Sequence, residues 1–232
     1  MRLALYQMAD RADVAANIRA ACKAVETINA DFICFPEYFT IPADYKHRGK
    51  TVEDAWSEVS IPTLEALTRA SVEFEGYVIA GTVVERDGGD YFNTCFVLRR
   101  GRIVAKYRKM NPIKEELEMG IKPGNNVISI KTEFGRFGIL ICADCLNQDT
   151  VMRVAGSNDI VFLPISLTDP SHPKVEGHPI SERIAKEYDV IVAKVSRVAM
   201  NVGVKSVVMS PRGVVREAES CCKEEVLVVD VR

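Results

Sequence analysis

An apolar run, Gly138-Ile139-Leu140-Ile141, meets a cysteine and then polar residues at once, in Cys142-Ala143-Asp144-Cys145. Such a run reads as a buried strand, and Cys142 sits at its carboxyl end, where the backbone turns. In open α/β sheets that edge is where ligands are held and chemistry is done. The rest of the 232 residues can then be read by asking what could activate that thiol.

The flanking pattern predicts a mixed sheet. Leu3 to Gln7 reads as a short buried strand, and from Asp10 to about residue 29 the apolar residues Val14, Ile18, Ala21, Cys22, Val25 and Ile28 recur at helical spacing. Asp31-Phe32-Ile33-Cys34-Phe35-Pro36 is a second continuous apolar run, as a buried parallel strand is, and completes a strand–helix–strand unit. Asn158 to Pro164 echoes it, again after a strand and a helix, which predicts two similar halves with their strand ends on one edge. Tyr77 to Glu85, Phe92 to Leu98 and Arg102 to Tyr107 predict an antiparallel section, with a hairpin signal at Asp87-Gly88-Gly89-Asp90. Tyr38 to Ser60 reads as a long loop or short helix, Ile61-Pro62-Thr63 as a helix start, and Lys109 to Gly124 as irregular. Further strands are expected at Val127 to Lys131, Val190 to Val195, Lys205 to Met209 and Val226 to Val231, and helices at Asp149 to Ala155 and Ile180 to Tyr188. Nothing in the middle reads as a linker, so residues 1–232 are expected to form a single domain.

Composition narrows the function classes. With 47% hydrophobic and 27% charged residues the chain is an ordinary globular one. A net charge of −2 with scattered Lys and Arg offers no nucleic-acid footprint. No apolar run approaches the roughly 18 residues of a membrane span, and the first residues do not read as a secretory signal. Seven cysteines fit neither a disulfide framework nor a zinc site, and Cys142–Cys145 is a lone CxxC. Reduced thiols, a cytoplasmic location and no metal or cofactor are the expectations.

Three residues could carry chemistry. Cys142 has a bland reading, a buried structural cysteine; a reactive one needs a base or a positive neighbour. His47, His172 and His178 lie in loop-like segments without a motif, so a Cys–His pair has little support, and Cys145 is the rival nucleophile. Glu37 follows Phe35-Pro36 directly at a strand end, where partial burial would raise its pKa and make it a base; a capping or solvated acid is the commoner fate. Lys109 ends a strand, where an ammonium could stabilise an oxyanion; alone it would read as one of a basic cluster with Lys106 and Arg108. Together they supply a base, an oxyanion partner and a nucleophile, each just past an apolar strand.

These residues resemble the nitrilase superfamily of carbon–nitrogen hydrolases over nearly the whole chain. The likeness rests on Phe35-Pro36-Glu37-Tyr38, on Tyr107-Arg108-Lys109 after Gly101, and on Ile141-Cys142-Ala143-Asp144, in that order. Asn93-Thr94, Pro123-Gly124, Arg183 through Glu187 and Ser206 through Gly213 add supporting matches. The resemblance implies an α/β fold, a four-layer α–β–β–α sandwich, and homodimers or larger assemblies packed through helical faces. It also implies a second glutamate after the lysine, for which Glu116 is chosen and Glu118 kept as the alternate. True nitrilases carry Cys-Trp-Glu at the nucleophile; Cys142-Ala143-Asp144 departs from that and points to a small linear amide or carbamoyl compound as substrate. Lys194 stands where many members have Asn. The implied activity is amide hydrolysis through a cysteine thioester, without a cofactor. The rivals are a catalytically silent homologue acting as a scaffold and a Cys142–Cys145 redox protein.

Overall fold

The computed structural model describes residues 1–169, 171–200 and 202–231. Pro170, Asn201 and Arg232 lie outside the described residues.

The strands form two sheets. The first has the order β13-β1-β2-β3-β5-β4, with β6 also paired to β5. Its members are β1 (Arg2–Gln7), β2 (Phe32–Cys34), β3 (Tyr77–Ile79), β4 (Val83–Asp87), β5 (Asp90–Arg99), β6 (Arg102–Arg108) and β13 (Glu225–Asp230). The second has the order β12-β11-β10-β9-β8-β7. It comprises β7 (Ile130–Thr132), β8 (Gly135–Ile139), β9 (Ile160–Ile165), β10 (Ile191–Ser196), β11 (Val207–Ser210) and β12 (Gly213–Glu217). β1, β2 and β3 run parallel, as do β8, β9 and β10, so each sheet has a parallel centre and antiparallel margins. The two halves echoed in the sequence are these centres.

Side-chain alternation builds the layers. Leu3, Leu5, Phe32, Ile79, Phe137, Ile139, Phe162, Ala193 and Val195 meet between the sheets. The opposite face of the first sheet, with Ala4, Ile33 and Val78, packs on Ala21 and Val25 of α1 (Val14–Thr27) and Leu67 of α3 (Ile61–Ala70). The opposite face of the second, with Val161, Leu163 and Val192, packs on Val151 and Val154 of α5 (Gln148–Ala155) and Ile184 of α6 (Pro179–Tyr188). The result is the four-layer α–β–β–α sandwich.

Several expectations are corrected. The segment Tyr38 to Ser60, expected as a long loop or short helix, is mostly loop at first and helical at its end, where α2 (Val52–Asp54) opens on a Thr51–Asp54 capping box and runs through a π-helical turn, Ala55–Ser60, into α3. Pro62 explains the widened turn, because it has no N–H to continue the ladder, and Ile61 N–H reaches back five residues to Trp56 O. The expected strand Tyr77 to Glu85 is two strands, broken at Gly81, whose φ of +46° suits glycine. The irregular stretch after Lys109 contains α4 (Lys114–Glu118). The strand expected at Val127 to Lys131 forms later, as β7. β12 was not anticipated; Val214 and Val215 on it are exposed, so it lacks the apolar pattern of a buried strand.

Candidate active site

β2, β6 and β8 end on one edge of the sandwich, and each delivers one side chain. Strand β6 is antiparallel to β5, and β5 to β3, so β6 runs in the same direction as β2 and ends towards the same edge of the sheet. After β2, Pro36 stops the ladder and Glu37 follows, 3% exposed. After β6 comes Lys109, 1% exposed, its N–H donating to Asn93 O at 2.8 Å. After β8, Cys142 sits at φ +45°, a left-handed conformation that non-glycine residues rarely hold without surrounding constraint.

That constraint is Asp144. Fully buried, its carboxylate accepts from Ile141 N–H at 2.9 Å, Tyr107 OH at 2.8 Å, Met110 N–H at 3.1 Å, Asn111 N–H at 2.8 Å and Asn111 Nδ2 at 2.9 Å. One side chain thus ties the turn bearing Cys142 to the segment bearing Lys109.

The Lys109 ammonium lies between two carboxylates, donating to Glu37 Oε1 at 2.9 Å and Glu116 Oε2 at 2.7 Å. Asn93 Nδ2 donates to the same pair, to Glu37 Oε1 at 2.9 Å and Glu116 Oε1 at 2.7 Å. Tyr38 OH donates to Glu116 Oε1 at 2.7 Å, and Ile113 N–H donates to Glu116 Oε2 at 2.9 Å where α4 begins. Glu118 is exposed on that helix and pairs with Lys114 at 3.7 Å, so of the two candidate glutamates it is Glu116 that touches Lys109.

Burial sets the proton affinities. It pushes the Glu37 carboxyl up, against the pull of Lys109, and the negative Glu116 adds to the rise. Glu116 is also buried, but the ammonium and its hydrogen bonds outweigh that and hold it below the usual carboxylate range. Lys109 overcomes its own burial through Glu37, Cys142 and Glu116 and is held firmly as a cation. Burial and the Glu37 charge raise the Cys142 thiol well above its ordinary value, while Lys109 pulls it down. A neutral thiol therefore faces a carboxylate of raised basicity beside a fixed cation. Such a set can move a proton from sulfur to oxygen with the total charge unchanged.

The strand-end reading located Glu37, Lys109 and Cys142. It did not find the phenol of Tyr38, the double donation by Asn93 or the tie through Asp144, although all three stand inside the quoted motifs. Their roles depend on contacts 23 to 78 residues apart in sequence, which no local pattern encodes. His47 and His172 are exposed, whereas His178 contacts Lys194 and Glu217 away from this cluster. Among the described residues there is no group of three or more His, Cys, Asp or Glu that could hold a metal ion, and no helix long and apolar enough to cross a membrane.

Residues 2–232 match the family model described as carbon–nitrogen hydrolase. A hydrolase of Schizosaccharomyces pombe is 28% identical over 174 residues, which is 70% of this chain and 53% of that protein. Omega-amidase NIT2 of Homo sapiens is 28% identical over 155 residues, 62% of this chain and 55% of its own. The matches thus span about half the length of these relatives. The crystal structure of an amidase from Nesterenkonia sp. superimposes with a TM-score of 0.81 at 19% identity, covering 100% of this chain and 90% of that one, which is a likeness of fold.

Proposed function

This chain belongs to the carbon–nitrogen hydrolase family, and from that premise we propose that it is an amidohydrolase acting on a small linear amide or carbamoyl compound, with Cys142 as nucleophile. The observation that carries the reading is the Lys109 ammonium held between Glu37 and Glu116 with the Cys142 thiol under the influence of both Glu37 and Lys109. Support from relatives is the naming of one as an omega-amidase.

In this reading Glu37 accepts the thiol proton as sulfur attacks the carbonyl carbon. The carbonyl π-electrons move to oxygen, and Lys109 with the Ala143 N–H holds the resulting oxyanion. The oxyanion collapses, the C–N bond breaks, and the leaving nitrogen takes the proton from Glu37, so ammonia or an amine departs and a thioester remains on Cys142. Glu37 then removes a proton from water, the hydroxide oxygen adds to the thioester, and the acid leaves as sulfur is reprotonated. Glu116 stays charged throughout and keeps Lys109 in place. The scheme treats residues 1–232 as one catalytic unit working without a cofactor, in the cytoplasm and as a homo-oligomer.

The test is ammonia release from a panel of short amides and carbamoyl compounds, wild type beside Cys142→Ala. Turnover in the wild type and a loss of at least about 10³-fold in the variant are expected. Full turnover by Cys142→Ala would refute the mechanism. No turnover by either, with all seven cysteines equally slow towards iodoacetamide, would favour a silent homologue.

A further inference from the structure

Two buried side-chain atoms among the described residues lack a hydrogen-bond partner, Asn93 Oδ1 and Arg197 Nη2. Asn93 bridges Glu37 and Glu116. Arg197 follows β10 and is 4% exposed. An unmatched buried donor on a cation is costly, so its retention asks for a reason. The nearest carboxylate, Asp10 Oδ1, is 3.6 Å from Nη2. That oxygen already accepts from Ala12 N–H at 3.0 Å and Asn17 Nδ2 at 3.3 Å.

What Arg197 does hold is the loop immediately after Glu37. Its Nη1 donates to Tyr38 O at 3.1 Å and to Ile41 O at 2.8 Å, across 159 and 156 residues of sequence. Tyr38 has φ +51°, a left-handed conformation disfavoured for an aromatic residue. Its N–H donates to Thr82 Oγ1 at 3.0 Å, so both backbone polar groups are pinned from outside. Only with that backbone fixed does the phenol meet Glu116 Oε1, leaving Oε2 to Lys109.

We propose that Arg197 is a positioning residue for amide hydrolysis: it clamps the left-handed turn at Tyr38, and the Tyr38 phenol in turn fixes the Glu116 carboxylate that holds Lys109. Strain of this kind persists where neighbours over-determine it, and here the neighbours are Arg197 and Thr82. The inference rests on the thiol chemistry proposed above.

The experiment is the pH dependence of Cys142 alkylation by iodoacetamide, followed by peptide mass spectrometry, in the full chain and in Arg197→Lys, Tyr38→Phe and the double variant. Lysine keeps the charge but is shorter and lacks the rigid planar guanidinium, so it loses the reach and fixed geometry with which Nη1 meets the Tyr38 and Ile41 carbonyls. A carboxylate that loses a donor holds its proton more tightly, so the acid limb should move to higher pH in each single variant. The rate at neutral pH should fall about tenfold in Arg197→Lys. The double variant should move no further than Tyr38→Phe alone, because both act through one contact. A wild-type profile in Arg197→Lys, or additive shifts in the double variant, would overturn the proposal. If Arg197→Lys does not fold, Tyr38→Phe must still move the acid limb, and its failure to do so would overturn it equally. Wild-type Cys142 reacting no faster than the other cysteines would instead strike at the thiol mechanism itself.

Discussion

Lys194 carries an ammonium into the face of the second sheet that packs on α5 and α6, where its Nζ meets His178 Nδ1 at 2.9 Å. Nδ1 must then accept, so Nε2–H donates to Glu217 Oε2 at 2.8 Å, and Lys205 donates to the other oxygen of Glu217 at 3.1 Å. Burial brings Lys194 down to about 8, against the opposing influence of Cys145 and Glu217. The unfolded chain binds its proton up to the ordinary 10.5, so between these values the unfolded state holds more protons and stability gained from losing the charge rises with pH. The stability of Lys194→Met relative to wild type should therefore shift in the variant's favour by about 3 kcal/mol between about pH 10 and pH 7, on top of a pH-independent cost of leaving His178 Nδ1 without its donor. Urea denaturation of both proteins across that range measures it, and a difference independent of pH would contradict it. Among single residues, Glu37 and Cys142 stood out because each follows an apolar run directly, whereas Lys109 follows Lys106-Tyr107-Arg108 and stood out only by its place at a strand end. Lys194 was noticed only as a departure, and Arg197 not at all, since its partners come from the other sheet.

Gly81 separates β3 from β4 and lets the chain pass close under the turn that presents Glu37. A Cβ there would lie 2.1 Å from Pro36 O and 2.8 Å from the Phe39 ring, at a φ of +46°. Backbone cannot give way as a flexible side chain can, so Gly81→Ala should destabilise the fold by about 2 kcal/mol or more and displace Glu37. A denaturation midpoint equal to wild type would show that the turn relaxes freely. This break was hidden because Tyr77 to Glu85 is apolar enough to read as one strand, and the interruption comes from a contact with another loop. In the helical turns before α3, the Thr51-Val52-Glu53-Asp54 capping signature and the helical spacing of Val52, Ala55, Trp56 and Val59 were both present in the sequence. The parallel central strands were legible because both their faces are buried, which leaves unbroken apolar runs.

The layers follow from that same double burial: each central strand has one face in the inter-sheet core and one under helices, and two such sheets can bury themselves only as a sandwich. Resemblance, rather than periodicity, supplied the stacking of the sheets, because no sequence pattern says which faces meet. The sandwich brings the ends of β2, β6 and β8 together, and so makes one site from residues 37, 109, 116 and 142. Whether that site works by covalent catalysis can be read directly. Wild-type protein turning over an amide from the panel is quenched in acid within milliseconds, and its mass is measured intact and by peptide. The expected result is added mass equal to the acyl group, confined to the peptide bearing Cys142 and released by hydroxylamine. Steady turnover with no adduct in burst conditions, or an acyl group on any other residue, would contradict it.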